Sequence, residues 1–180
     1  MEEKSINTTA IIITIVVVIL LGTGIYNFFF AGQVIKDETN YFRLHAPNGY
    51  DFIVNPNNKE KDDPYNLAVY DRNKAIYIYG MVYELPEGDI KTLLDEDKVE
   101  FVESSNGKDI TETEIYKIEE YEIYKYDFNY IDVDEVEYYI QVYWILTEDK
   151  IYSIDIECKL SDKEKYKDEL KKIIDSFREL

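Results

Sequence analysis

Between Ser5 and Ile35 the chain carries no charged residue, and inside that window Thr9–Phe30 reads TAIIITIVVVILLGTGIYNFFF. Nothing else in the sequence constrains the molecule as strongly. Twenty-two residues at ~1.5 Å each span roughly 33 Å as a helix, enough for a hydrocarbon core of about 30 Å. Lipid offers the backbone no hydrogen-bond partners, so a lone crossing segment must be helical. The β-branched run Ile11–Ile19 would favour a strand in water, but in lipid side-chain burial outweighs that preference. Tyr26, Phe28, Phe29 and Phe30 then fall at the level of an interfacial aromatic belt. A cleaved signal peptide fits less well. The apolar stretch exceeds the roughly 7–15 residues of such a segment, and Glu2 and Glu3 offset Lys4. No cysteine follows the run closely, so a lipoprotein anchor is not expected.

The expected organisation is therefore a polar N-terminus over 1–8, a transmembrane helix over 9–31, a linker over 32–40, and a water-facing domain over 41–180. That makes a single-pass cell-membrane protein. Lys4 on one side and Lys36 with Arg43 on the other are too evenly matched to set its orientation.

The formal net charge is −18. It is concentrated: residues 84–137 hold nineteen acidic and five basic groups, a net of −14 in 54 residues. Phosphate neutralisation needs clustered Lys and Arg, so nucleic acid is excluded as a partner. No polybasic segment flanks the apolar run, which excludes adhesion to an anionic leaflet. The one cysteine, Cys158, cannot form an intramolecular disulfide and is expected as a buried thiol on a strand.

The domain reads mainly as strands. Tyr41–His45 and Tyr50–Val54 flank the turn Ala46-Pro-Asn-Gly49 and are expected to form a hairpin. Asn55–Pro64 is a loop, and Asn66–Arg72 pairs with Ala75–Tyr83. Asp89 is a good N-cap for a helix from Ile90 to about Ser104, stopped by Asn106-Gly107. Four strands then run as a meander: Glu112–Ile118, Ile123–Ile131, Val136–Leu146 and Ile151–Leu160. Val136–Leu146 is apolar on both faces and is expected at the centre of the sheet. Ser161 and Glu164 form a capping box for a closing helix with Tyr166, Leu170, Ile173, Ile174 and Phe177 in one stripe. The expected fold is α+β: a mostly antiparallel sheet of about seven or eight strands flanked by two helices, preceded by the transmembrane helix.

The Pro-Asn-Gly-Tyr corner at 47–50, the order of elements, and the ending Ile-Ile-Asp-Ser-Phe at 173–177 resemble the PsbP-like α/β/α sandwich. The resemblance covers 41–180. It implies a domain outside the cytoplasm that serves binding or assembly, not catalysis, and it supplies no site residue.

Chemistry-bearing constellations are sparse. His45, the only histidine, has no triad or metal partner in sequence and is expected to be structural. Asp132, Asp134 and Glu135, with Glu137, are the one oxygen cluster for a cation, but the spaced ligands and central glycine of a calcium loop are missing. They are expected as a solvated turn. Asp95, Asp97, Glu100 and Glu103 are expected on the wet face of the first helix. The domain's tyrosines are expected mainly as sheet filler, with a recognition patch as the alternative.

No catalytic residue and no cofactor is assigned, and the chain is not expected to be an enzyme. The expected function is a membrane-anchored accessory domain that contacts another protein, within a membrane complex for example. The alternative is a solute- or divalent-cation-binding domain using the acidic 84–137 region.

Overall fold

In the computed structural model the described residues are 32–37, 41–54, 65–71 and 73–180. The apolar segment 9–31 lies outside them. Among the described residues no helix is long and apolar enough to cross a membrane.

The described residues form ten strands and two helices, in the chain order β1 (Gln33–Lys36), β2 (Phe42–Ala46), β3 (Phe52–Val54), β4 (Leu67–Asp71), β5 (Ile76–Glu84), α1 (Ile90–Ser104), β6 (Glu114–Ile118), β7 (Tyr121–Ile131), β8 (Glu137–Leu146), β9 (Lys150–Lys159), α2 (Lys163–Asp175) and β10 (Arg178–Glu179). The main sheet has seven antiparallel strands in the order β3-β4-β5-β9-β8-β7-β6, and a second sheet has three in the order β1-β2-β10.

The topology follows from one long connection. β5 ends near the middle of the sheet, and β6 starts at its far edge. The chain between them must pass over β9, β8 and β7, and α1 makes that passage across one face. The meander β6 to β9 then returns to pair with β5. The doubly apolar β8 sits between β7 and β9, as its sequence requires.

The opposite face is sealed. α2 lays Tyr166, Leu170, Ile173 and Ile174 on it, and Phe177 follows just past the helix end. Beside them, Ile35, Phe42, Leu44 and Ala46 of the small sheet complete one continuous core with Tyr152, Ile154, Ile156 and Cys158 of β9. Phe42, Tyr152 and Phe177 pack ring to ring at 5.0–5.7 Å.

Three expectations are corrected. The strands around Pro47-Asn-Gly49 do not form a hairpin: β2 pairs with β1 and β10, while β3 pairs with β4 in the other sheet. Pro47 has no N–H to continue a ladder, and Gly49 takes φ 94°, so the corner redirects the chain between layers. The side-chain amide of Gln33 closes that corner by donating to Phe52 O at 2.7 Å and accepting from Phe52 N at 2.9 Å.

Second, the linker expected over 32–40 contains β1. A Cβ on Gly32 would lie 1.6 Å from Ala46 O, so glycine is what lets the chain start so close to β2. Asp37 is buried and accepts from Phe42 N at 2.9 Å.

Third, the capping box at Ser161 is not formed. Leu160–Asp162 winds into a 3₁₀ turn straight off β9, so Ser161 is inside a turn and not in the extended conformation an N-cap needs. Glu164 instead meets Lys167 at 2.8 Å. The other helix starts as expected, with Asp89 accepting from Lys91 N at 3.2 Å.

Candidate functional site: a tyrosine-walled groove with carboxylates in its floor

The face that carries α1 is only partly covered. Of α1 only Leu94 and Val102 are buried. They cover the side chains of β7 and β8, chiefly Tyr124, Tyr126, Phe128, Val142 and Trp144. Over β5 and β9 the described residues leave a groove. Its larger chamber, about 600 Å³, lies between α1 and the strands, and a second of about 310 Å³ continues along the sheet. Tyr65, Phe101 and Asp155 line both.

The alternation of β9 puts its polar residues here. Tyr152, Ile154, Ile156 and Cys158 point to the sealed core, so Ser153, Asp155 and Glu157 point into the groove. Register across the sheet sets their neighbours. One row runs Tyr79, Asp155, Val142, Tyr126, and the next runs Tyr77, Glu157, Ile140, Phe128.

Asp155 is 7% exposed, and its Oδ1 is buried with no hydrogen-bond partner among the described residues. Burial, reinforced by the charges of Glu157 and Asp97, raises its carboxyl to about 8. Glu157 is equally buried, but it accepts a hydrogen bond from Tyr130 Oη at 2.5 Å. Desolvation still raises it, and the Tyr130 contact opposes that rise. Across the groove Asp97 of α1 is also raised, by burial and then by Glu100. Tyr126 Oη is a second buried group without a hydrogen-bond partner among the described residues. Desolvation lifts the Tyr126 hydroxyl far above its ordinary range.

The walls are aromatic. Tyr65 and Tyr79 pack with centroids 5.0 Å apart, and Tyr130 stacks on Tyr138 at 5.6 Å. Phe101 of α1 meets Phe128 edge-on at 5.6 Å. Tyr83 stands at the lip, 47% exposed. A nearby cation, Lys98 of α1, is held elsewhere: its Nζ donates to Thr111 O at 2.8 Å and Thr113 Oγ1 at 3.1 Å, and sits 4.8 Å over the Tyr126 ring. The groove thus joins apolar walls, ring faces and carboxylates held away from water, which suits recognition of an amphipathic group.

The residues singled out in sequence lie elsewhere, with two exceptions. Asp97 and Glu100, expected on a plain wet face, line the groove. Asp132 Oδ1 accepts from Asp134 N and Val136 N, both at 2.9 Å, and Glu135 adopts φ 60°. Asp132 therefore shapes the β7–β8 turn. Among the described residues no group of three or more His, Cys, Asp or Glu side chains is placed to hold a metal. His45 is exposed, and its backbone N–H donates to Ser176 Oγ at 2.7 Å. Cys158 is fully buried, and burial pushes its thiol up to about 12.

Sequence reading missed Asp155 and Glu157. The available signal was a strand, SIDIE, with carboxylates on one face inside a sheet expected to be covered on both faces.

Comparison with known proteins places the fold. No family description and no curated protein matches the sequence. Among solved structures, cyanobacterial PsbP from Synechocystis sp. PCC 6803 superposes with TM-score 0.61 at 13% identity, over 83% of this chain and 93% of that one. LpqN of Mycobacterium tuberculosis, described as involved in cell envelope biogenesis, gives TM-score 0.57 at 10% identity, over 83% and 91%. A Bacteroides thetaiotaomicron protein gives 0.56 at 11% identity, over 83% of this chain but 49% of its own length. The domain has the PsbP-like fold.

Proposed function

We propose that this chain is an accessory module held at the cell membrane by residues 9–31, with its domain outside the cytoplasm. It contacts a partner protein through the groove between α1 and the β5–β9 strands and carries out no chemistry of its own. One observation carries this reading: the two faces of the same sheet are finished differently. One is closed by α2 and the small sheet, and the other presents aromatic rings around Asp155 Oδ1 and Tyr126 Oη, buried atoms with no hydrogen-bond partner among the described residues. Such atoms are costly to leave without partners, and a bound group relieves that cost. Extracytoplasmic placement draws support from the apolar segment and from the likeness to LpqN, a protein involved in cell envelope biogenesis.

The test uses the full-length protein in its own membrane. A photo-crosslinking residue at Tyr83, on the groove lip, should capture a discrete partner, whereas one at Lys172, exposed on α2, should not. Equal capture at both positions would show that the groove is not the contact surface. Orientation is read separately. Val133 is 98% exposed and Cys158 fully buried, so Val133→Cys supplies one reactive thiol. A membrane-impermeant maleimide should label it on intact cells, and labelling only after lysis would put the domain inside.

A further inference from the structure

We propose that the groove recognises a primary alkylammonium group of the lysine type, seated on the Asp155 carboxylate and flanked by the rings of Tyr79 and Tyr65. This rests on the reading of the groove as the working surface and names the chemistry it takes.

Four observations converge on one position. Asp155 is 93% buried and lines both chambers, with one oxygen lacking any partner among the described residues. Tyr79 is its immediate cross-strand neighbour, and Tyr65 packs on Tyr79 at 5.0 Å, so ring faces stand beside the carboxylate. An ammonium in such a place gains both a charge-assisted hydrogen bond and the attraction of the ring quadrupoles. Two strands away, about 10 Å at the usual strand spacing, Tyr126 holds a second buried and unpartnered oxygen on the same row.

The ligand is organic and slender for stated reasons. The absence of a three-carboxylate cluster among the described residues disfavours a bare divalent ion, which needs six or more oxygens or their equivalent in water. The approach to Asp155 is lined by Met81, Leu94, Val142 and Trp144, apolar surface against which a methylene stem is buried while its head reaches the carboxylate. Glu157, Asp97 and Glu100 add negative potential around the same spot. Lys98, the cation on the facing helix, is engaged by Thr111 and Thr113.

Trp144, the only tryptophan, lines the larger chamber and reports on its occupancy. Full-length protein in non-ionic detergent with 150 mM NaCl at pH 9, where the Asp155 carboxyl is ionised and the amines are still protonated, is titrated with three probes: 1,5-diaminopentane, the peptide acetyl-Gly-Lys-Gly-amide, and the same peptide acetylated on its lysine. The expected result is a saturable change in Trp144 fluorescence with at least one amine and none with the acetylated peptide. Asp155→Asn should weaken the response at least tenfold, with unchanged circular dichroism. Saturation by the diamine alone points to a free amine, and saturation by the lysine peptide points to a protein side chain. Both support the ammonium site. An equal response to the acetylated peptide, an Asp155→Asn protein that binds as wild type, or no saturation by either amine overturns it. If Asp155→Asn does not fold, Tyr83→Ala at the exposed lip takes its place, with a loss of at least threefold expected and no loss counting against the site. Groove-dependent crosslinking that survives Asp155→Asn sinks this inference alone, whereas crosslinking indifferent to the groove sinks the reading beneath it.

Discussion

The two faces of the main sheet are built from the same strands, yet they obey different rules. On β9 the residues facing α2 are Tyr152, Ile154, Ile156 and Cys158, and those facing α1 are Ser153, Asp155 and Glu157. The covering helices differ in the same sense. α2 buries four side chains and carries five basic against four acidic residues, whereas α1 buries two and carries two against five. α1 even leaves Leu93 and Val99 exposed, at 40% and 56%. The face under α2 is closed by a well-matched stripe, and the polar side chains it holds are largely paired: Lys125 with Asp127, Asp127 with Tyr139, and Gln141 with Tyr139, Tyr143 and Lys167 O. The face under α1 keeps Asp155 Oδ1 and Tyr126 Oη buried without hydrogen-bond partners among the described residues, beneath a lightly docked helix. The difference teaches that one sheet can be closed for stability on one face while the other is left with the exposed rings and buried carboxylates on which the proposed contact rests.

The sharpest way to break that comparison is to insert a charge on each side. Ile174→Asp puts an unpaired carboxylate in the sealed core, where Ile174 has no exposure. The cost should be several kcal/mol, comparable with a domain's whole stability of ~5–15 kcal/mol, and the protein should unfold at ambient temperature. Lys165→Asp, on the exposed side of α2, should cost less than about 1 kcal/mol. Equal shifts in thermal melting for the two would show that the sealed face is not the stabilising one.

A smaller effect, of a few kcal/mol at most, is expected from the groove's own carboxylate. Asp155 is raised from 3.8 in the unfolded chain to about 8 in the folded one. The folded state therefore holds the proton more tightly, so the domain loses stability as pH rises from about 4 to about 8 and then levels. Glu157, Asp97 and Tyr126, and Glu100 beyond them, face the same site, and Lys98 does not pair with it. The two raised acids, Glu157 and Asp97, act in the same direction. Asp155→Asn should melt close to wild type at pH 4.5 and above it at pH 8. A variant that melts lower than wild type at pH 8 would mean that Asp155 has a partner in the folded protein.

Much of this architecture is legible in the residues. The alternation of Tyr124, Tyr126, Phe128 and Tyr130 places β7, and the two-sided apolar load of Val136–Leu146 places β8 inside the sheet, between β7 and β9, because a period of two reports directly on which faces are covered. The α2 stripe reads equally well. The hairpin around Gly49 misleads because a turn sequence states that the chain bends, not which strand it meets next. β1 is invisible because Gln33–Lys36 is too short for any period to show. The groove escapes for a different reason. Asp155 becomes unusual only once β9 is known to lie between β5 and β8, and that order depends on where α1 crosses, a long-range fact no local pattern holds.

Within the groove, Tyr130→Phe should have an effect near 1 kcal/mol. It removes the donor that Glu157 accepts from at 2.5 Å while keeping the ring stack on Tyr138. With the opposing contact gone, Glu157 should rise further, so the loss should be larger at pH 8 than at pH 5. Carboxyl chemical shifts followed by NMR against pH test this directly, and an unchanged Glu157 titration would break the assignment of Tyr130 as its partner.

The smallest effect concerns charge at long range and separates the faces once more. The span 84–137, which contains α1, β6 and β7, carries the net −14, while the rest of the domain is close to balanced. Among the described residues few ion pairs offset it: Lys125 meets Asp127 at 2.8 Å, and Arg178 meets Glu119 at 2.7 Å. The Debye length is about 30 Å at 10 mM salt and about 8 Å at 150 mM, so repulsion across the span is felt in the first and largely screened in the second. Adding NaCl over that range should raise the melting temperature smoothly by a few degrees, the response of a domain of this size to about 1 kcal/mol. Ca²⁺ and Mg²⁺ should act alike, only more strongly, since Asp132 is turned onto backbone N–H groups of its own turn. Asp132→Asn with Asp134→Asn should leave that divalent response in place. A saturable stabilisation by Ca²⁺ alone, surviving 150 mM NaCl and lost in the double variant, would move the proposed binding role from the groove to the β7–β8 turn.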